Sequence, residues 1–72
     1  MTTIIKHLPD IGYSVILDEG RIRWSNILRR SIGVFYPEVF GGYQAAVDAC
    51  EQAAREHNKA YQAVVSKALA TV

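Results

Sequence analysis

The sequence predicts an α+β fold, in which a three-stranded antiparallel sheet, connected as a meander, packs against one long carboxyl-terminal helix. Up to Gly42, short stretches rich in β-branched and aromatic residues alternate with turn residues. From Tyr43 to Ala70 there is neither glycine nor proline, and apolar residues recur at helical spacing. A chain of 72 residues is expected to form one small domain, 1–72.

The first nine residues contain a short apolar pair, Ile4-Ile5, and end at Pro9. We interpret this segment as an edge strand or a loose arm. The residues Pro9 to Gly12 then predict a turn.

Two strands, Tyr13 to Leu17 and Arg21 to Leu28, are predicted to form a hairpin around a turn at Asp18-Glu19-Gly20. Side chains alternate between the two faces of a strand, which separates an apolar set from a polar set. The residues placed towards the core are Val15, Leu17, Ile22 and Trp24. Those placed outwards are Ser14, Arg21, Arg23 and Ser25.

A third strand is predicted from Ile32 to Tyr36, where Pro37 would end the ladder. The segment from Pro37 to Gly42 is expected to be a loop, because its two adjacent glycines permit an abrupt turn. Three consecutive strands joined by short connections favour an antiparallel meander.

The helix predicted from Tyr43 to Ala70 has one apolar face. Its members follow steps of four and three: Tyr43, Val47, Cys50, Ala54, His57, Tyr61, Val64 and Ala68. At 1.5 Å per residue an unbroken helix would run about 42 Å, whereas a short strand spans only ~17–20 Å. The second half must therefore fray, fold back after Asn58, or pack on something else.

No catalytic or metal-binding pattern is present, and we expect a non-enzymatic protein without a cofactor. Cys50 and His57 share a helical face but stand seven residues apart, about 10.5 Å along the axis. Two ligands on one helix need a spacing of three or four residues to bind one metal ion.

A single cysteine excludes an intrachain disulfide and suits a reducing cytoplasm. We find neither a signal-peptide pattern nor the ~20 apolar residues that a membrane span requires. The sequence therefore predicts a soluble, cytoplasmic protein without a membrane partner.

Positive charge is concentrated in one part of a chain whose net charge is only +1. Between Gly20 and Pro37 the charged residues are Arg21, Arg23, Arg29 and Arg30. One interpretation is that a half-exposed sheet simply needs polar residues on its outer face. The other is that the arginines, with interleaved serine and asparagine, contact phosphates and base edges. We expect Trp24 to be a core residue rather than a base-stacking one.

The segment Arg30-Ser31-Ile32-Gly33-Val34-Phe35, followed by the alanine-rich helix from Tyr43 to Asn58, resembles the end of an Apetala-type (ethylene-response-factor-like) DNA-binding domain. In that family a Leu-Gly-x-Phe strand leads into a helix with Glu-Ala-Ala and Ala-Tyr-Asp repeats. The arm-binding domains of phage-type tyrosine integrases share the three-strand-plus-helix design. The resemblance covers roughly residues 12 to 58, and both the connecting loop and the helix are longer here.

The resemblance implies that arginines on the open face of the sheet read the major groove of DNA. Carried over to this sequence, it implicates Arg21, Arg23, Arg29 and Arg30. Family members also use a tryptophan on that face, whereas Trp24 alternates onto the opposite one.

Two functions are therefore expected. The first is a double-stranded DNA-binding module whose site residues are Arg21, Arg23, Ser25, Arg29 and Arg30. The alternative is a protein-interaction module, such as a small phage-type inhibitor or an assembly subunit, that forms a symmetric dimer or binds a protein partner. Its interface would be the uncovered helical face formed by Tyr61, Val64, Val65 and Leu69.

Overall fold

The computed structural model of the protein describes residues 2–70. Its elements are the strands β1 (Thr2–Leu8), β2 (Tyr13–Asp18) and β3 (Arg21–Ser25), a short helix α1 (Pro37–Phe40) and a long helix α2 (Tyr43–Ala70). The strands form one sheet in the order β1-β2-β3, and both pairings are antiparallel. A three-stranded antiparallel sheet with one long carboxyl-terminal helix confirms the predicted fold class.

The first strand of the sheet is the segment that we interpreted as an edge strand or a loose arm. β1 pairs with β2 from Thr2 opposite Asp18 to Leu8 opposite Tyr13. A bulge between Ile4 and Lys6 adds one residue to β1, and Ile5 packs against the core. Residues 2–8 are therefore an edge strand and not an arm.

The prediction of a third strand from Ile32 to Tyr36 is wrong. Within this segment the bridge to β3 is that of Phe35 with Ile22, and just before the segment Arg30 forms a second isolated bridge with Ser25. Between the bridges the hydroxyl of Ser31 accepts a hydrogen bond from the backbone N–H of Trp24 at 3.3 Å and donates one to the Gly33 carbonyl at 2.8 Å. The side chain thus replaces ladder hydrogen bonds, and the chain bends away from the sheet.

The predicted extension of the second strand to Leu28 is also wrong, because β3 ends at Ser25. The side-chain oxygen of Asn26 accepts hydrogen bonds from the backbone N–H groups of Leu28 and Arg29, both at 2.8 Å. An asparagine that binds backbone groups two and three residues ahead stabilises a turn in competition with the strand.

The predicted loop from Pro37 to Gly42 contains one turn of helix, α1. Pro37 occupies the first helical position, where a missing N–H costs no hydrogen bond. Gly41 ends the turn in the left-handed conformation, with φ of 88°, and its N–H donates to the Pro37 carbonyl at 2.9 Å. The short helix packs against α2.

The hydrophobic core lies between one face of the sheet and the first half of α2. Its buried members are Leu8, Tyr13, Val15, Ile22, Trp24, Ala46, Val47, Cys50 and Ala54, with Leu17 partly buried beside them. The predicted faces of the hairpin are confirmed, as is the placement of Trp24 in the core. The small side chains of Ala46, Cys50 and Ala54 allow α2 to lie close to the sheet.

Helix α2 is continuous for 28 residues, and the longest dimension of the molecule is 45 Å. All of its buried residues lie between Ala46 and Ala54. Residues 59–70, hereafter the overhang, therefore extend beyond the sheet as a helix instead of folding back after Asn58. Of the helices described, none is both long and apolar enough to cross a membrane.

Candidate nucleic-acid interface and an apolar groove

The face of the sheet opposite α2, hereafter the open face, is defined by the register of the three strands. Across it Ile4, Ile16 and Arg23 are neighbours, and Asp18 lies opposite Arg21. Among the described elements α1 packs against α2, and α2 packs on the other face. In the part of the chain that the structure describes, neither helix covers the open face.

Four of the five predicted nucleic-acid-binding residues lie on this face or at its edge. Arg21 is exposed, whereas Arg23 and Ser25 are half-buried within β3. Exposed Arg30 forms the bridge to Ser25 beside β3, and its Nη1 lies 2.8 Å from Oδ2 of Asp18. The structure therefore brings together Arg21, Arg23, Ser25 and Arg30.

Arg29 is separated from this group. Its Nη2 lies 2.8 Å from Nε2 of His57, which belongs to α2 on the other side of the sheet. The adjacent residues Arg29 and Arg30 thus extend to opposite sides of the molecule. The expectation that all the arginines present themselves to one duplex does not fit this arrangement.

Asp18 partly balances the positive charge of the open face. Desolvation disfavours its carboxylate, but the charge and hydrogen bond of Arg30, the Thr2 hydroxyl and the charge of Arg23 together hold the pKa of Asp18 below its usual range. Asp18 precedes the segment from Gly20 to Pro37 in which we counted charged residues, so it was left out of that count. Its pairing with Arg21 across the predicted hairpin could have shown that it lies beside the arginines.

Two further features of the open face were not predicted. Nδ1 of His7 lies 3.0 Å from the Ser14 hydroxyl, which adds an imidazole ring to the polar surface. Nε of Arg23 is buried, and among residues 2–70 it has no hydrogen-bond partner. Beside it Ile16 is only 2% exposed although it faces away from the main core. Arg23 is therefore partly packed into the face instead of extending fully into solvent.

On the helix side there is an apolar groove of about 780 Å³. The turn between β1 and β2, the loop of residues 26–29 and the middle of α2 form its walls. Its lining residues are Ile11, Gly12, Tyr13, Asn26, Ile27, Leu28, Arg29, His57, Asn58, Tyr61 and Gln62. Ile27 and Leu28, which sequence reasoning missed, are 96% and 72% exposed.

His57 links the groove to the core. Its Nδ1 lies 2.7 Å from the hydroxyl of Tyr13, and its ring centroid is 4.5 Å from that of Trp24. Arg29 contacts the other ring nitrogen. His57 is half-buried, in keeping with its place on the predicted apolar face of the helix, but the contact with Arg29 was not predicted.

The four predicted protein-interface residues all lie on the second half of α2. Tyr61, Val64 and Leu69 are exposed, while Val65 is partly buried. Tyr61 also lines the groove, so the apolar surface continues from the groove along the overhang.

Groups suited to chemistry are few in the described part of the chain. Residues 2–70 contain no cluster of three or more histidine, cysteine, aspartate or glutamate side chains that could hold a metal ion. Burial raises the pKa of the Cys50 thiol to about 12. A buried thiol that stays protonated is a poor nucleophile.

Comparisons with protein-family models, with curated proteins and with solved structures each gave no match. Function is therefore inferred from the geometry and chemistry of this chain.

Proposed function

We propose that the protein is a small non-enzymatic module that binds double-stranded DNA through the open face of its sheet. The observation that supports this is the gathering of Arg21, Arg23 and Arg30 on the one face that neither described helix covers. Arginine is the side chain best suited to bind phosphates and guanine edges.

The dimensions of the sheet suit the major groove. Neighbouring strands lie about 4.8 Å apart, so the axes of β1 and β3 are separated by roughly 10 Å. The major groove of B-form DNA is about 12 Å wide and admits a two-stranded β-ribbon. The hairpin of β2 and β3, which carries Arg21 and Arg23, can therefore lie in the groove with the open face towards the base edges, while α2 stays on the far side.

The arginines differ in freedom and therefore in their proposed roles. Arg21 is exposed and has no ion-pair partner among residues 2–70, which suits a mobile phosphate contact. Arg23 is half-buried with a buried Nε, so its side chain has less freedom than that of Arg21, which suits a base-edge contact. Arg30 is bound to Asp18 and has further N–H groups available for a phosphate oxygen.

A duplex titration with matched charge variants tests this proposal. We expect a mixed-sequence duplex to bind the wild-type chain at low salt, with log K falling by about 0.9 per log unit of salt for each phosphate neutralised. The double variant Arg21→Gln/Arg23→Gln should bind at least tenfold more weakly, and its salt slope should be shallower by about 0.9, because only Arg21 is assigned to a phosphate.

The control is Lys59→Gln/Lys67→Gln, which removes the same charge from exposed positions of α2. It should retain nearly the wild-type affinity and slope. Equal losses in both double variants would show only non-specific attraction, and absence of wild-type binding at low salt would refute the proposal.

The groove and the overhang favour a second candidate function, a protein-interaction module. Val64 and Leu69 on the overhang, and Ile27 and Leu28 at the groove, are each at least 67% exposed. Adjacent exposed apolar side chains of this kind are typical of interaction surfaces. Because this surface and the open face lie on opposite sides of the sheet, one chain can perform both functions.

A further inference from the structure

We infer that the groove and overhang of one chain receive the overhang of a second copy, which gives an antiparallel dimer with two-fold symmetry. This inference rests on the second candidate function and names its partner. It also places the contact on specific residues, so that both the association and its geometry can be tested.

The overhang, which has twelve residues and is about 18 Å long, packs little against the rest of the described chain. Most helical stability in proteins comes from the packing of an apolar face. None of its residues is buried within the described chain. A domain of this size also has a small core, and oligomerisation is one of the few ways to add to it.

The apolar stripe of the overhang continues the stripe that forms the core. At 100° per residue, Tyr61 and Val65 each lie within about 20° of Ala54 around the helix axis. Ala54 is fully buried against the sheet, so the overhang presents its apolar residues on the side where the groove opens. A second helix lying along this side therefore contacts both surfaces.

The length of the stripe fits an antiparallel copy of itself. A two-fold axis placed between Ala63 and Val64 brings Leu69 of one chain opposite Asn58 of its partner. Asn58 lines the groove, so each exposed leucine would enter the groove of the other chain beside Leu28. An isologous contact of this kind closes as a dimer and leaves no further surface of the same type.

The charges are compatible with two copies. Lys59 and Lys67 each lie about 140° around the axis from Ala54, so they remain on the outer side of both helices. The groove contains one formally charged side chain, Arg29, among its lining residues. In the antiparallel arrangement Arg29 faces the carboxyl end of the partner's α2, where the helix dipole is negative.

The number of residues in the proposed dimer contact sets the affinity that we expect. The eleven groove residues together with Val64, Val65 and Leu69 make fourteen residues a side. A standard interface has about 20–30 residues a side and buries roughly 800 Å² on each partner. We therefore expect a weak dimer with a Kd in the micromolar range.

Sedimentation equilibrium from about 1 µM to about 1 mM tests the association. The wild-type mass should rise from 8.0 kDa towards twice that value. Val64→Glu changes a side chain that is 67% exposed in the monomer, so the fold should be retained while the dimer is lost. Ser66→Glu adds the same charge outside the stripe and should dimerise like the wild type.

Disulfide trapping tests the direction of the helices. A mixture of Leu69→Cys and Asn58→Cys chains should form the mixed disulfide faster than either chain links to itself. Faster linking of Leu69→Cys to itself would overturn the antiparallel arrangement. Because Cys50 is buried, the wild-type chain provides the background rate.

The dimer, the broader interaction function and DNA binding can fail separately. A wild-type chain that stays at 8.0 kDa up to the highest concentration overturns the dimer, as does unchanged dimerisation of Val64→Glu. The second candidate function, a protein-interaction module, is refuted if the chain forms no dimer and a photo-crosslinker at position 69 also traps no other protein. DNA binding is measured at concentrations below the dimer Kd and depends on the opposite face.

Discussion

Nε2 of His57 accepts a hydrogen bond from Nη2 of Arg29 at 2.8 Å, and this contact determines where the proton of the imidazole ring lies. A guanidinium group only donates hydrogen bonds, so Nε2 must have a free lone pair. In the neutral ring this places the proton on Nδ1, which can donate to the Tyr13 hydroxyl at 2.7 Å. His57 thus connects a groove arginine to a core tyrosine in one defined tautomer.

We therefore predict that nitrogen NMR at a pH where the ring is neutral shows His57 protonated at Nδ1. Arg29→Met removes the donor to Nε2, and Tyr13 can then donate to Nδ1 instead. That variant should shift the ring towards the Nε2-protonated tautomer. Arg30→Met, which removes the neighbouring arginine, should leave the tautomer unchanged. A wild-type ring protonated at Nε2 would contradict the assignment.

Arg23 should contribute to binding at the expense of stability. Its buried Nε has no hydrogen-bond partner among residues 2–70, and an unsatisfied buried donor costs about 1–3 kcal/mol. Arg23→Met retains the aliphatic length without the polar atoms. By urea denaturation we expect the free energy of unfolding to stay unchanged or rise by about 1 kcal/mol, while DNA affinity falls.

Arg21→Met is the matched control for this prediction. Arg21 is exposed, so its replacement should change the free energy of unfolding by no more than about 0.5 kcal/mol. Destabilisation of Arg23→Met by more than 1 kcal/mol would show that the guanidinium supports the fold.

The fold class could be predicted from the sequence because it depends on local periodicity. Alternation along the hairpin separated Val15 and Trp24 from Arg21 and Arg23, and the same separation is found in the structure. The absence of glycine and proline from Tyr43 to Ala70 predicted one long helix. Because this helix is much longer than a strand, part of it was expected to extend beyond the sheet.

The errors arose where side chains bind the backbone. Asn26 and Ser31 each replace ladder hydrogen bonds, which ends β3 early and prevents the segment from Ile32 to Tyr36 from joining the sheet. Their hydrogen-bond partners depend on a conformation that periodicity does not specify. The separation of Arg29 from Arg30 has the same origin, because Arg29 belongs to the turn held by Asn26 while Arg30 forms a bridge to Ser25.

The ion pairs of α2 with Lys6 in β1 and with Asp10 in the following turn could not be predicted, because each joins residues 45 positions apart. Nζ of Lys6 lies 2.5 Å from Oε1 of Glu51, and Arg55 binds both Glu51 at 3.1 Å and Asp10 at 2.6 Å. These ion pairs attach the edge strand and the first turn to the helix. Their geometry follows from how α2 lies on the sheet.

This ion-pair network predicts acid destabilisation. Hydrogen bonding from Lys6, and then from Arg55, holds the pKa of Glu51 below its usual range against the effect of desolvation. The hydrogen bond from Arg55 likewise lowers the pKa of Asp10. A carboxyl group with a lower pKa in the folded state stabilises the fold above its unfolded-state pKa, and this stabilisation is lost as the pH falls through the folded-state pKa.

The melting temperature should therefore fall progressively below about pH 5 as these carboxyl groups are protonated. Glu51→Gln should lower the melting temperature at pH 7 and reduce its dependence on pH, because the titrating group is gone. Glu56→Gln changes an exposed carboxylate that accepts a hydrogen bond from Gln52, and it should retain the wild-type profile. If the melting temperature of Glu51→Gln depended on pH as that of the wild type does, Glu51 would not contribute to the acid destabilisation.

Cys50 should report on the opening of the contact between helix and sheet. Its side chain is fully buried, and burial raises its pKa to about 12, so at pH 8 only about one thiol in ten thousand is ionised. Reaction with a thiol reagent therefore requires α2 to separate from the sheet. We expect the native chain to react slowly, at a rate that rises with urea, and the unfolded chain to react at once.

The exposed thiol of Leu69→Cys provides the control for this measurement, since position 69 lies on the overhang and should react rapidly in the native state. A mild loosening of the core, such as Val47→Ala, should speed the reaction of Cys50 without changing that of the thiol at position 69. Val47 is buried beside Cys50 in the same cluster, and its truncation is expected to cost roughly 1–3 kcal/mol. Fast, complete modification of native Cys50 would mean that the first half of α2 does not cover the sheet stably.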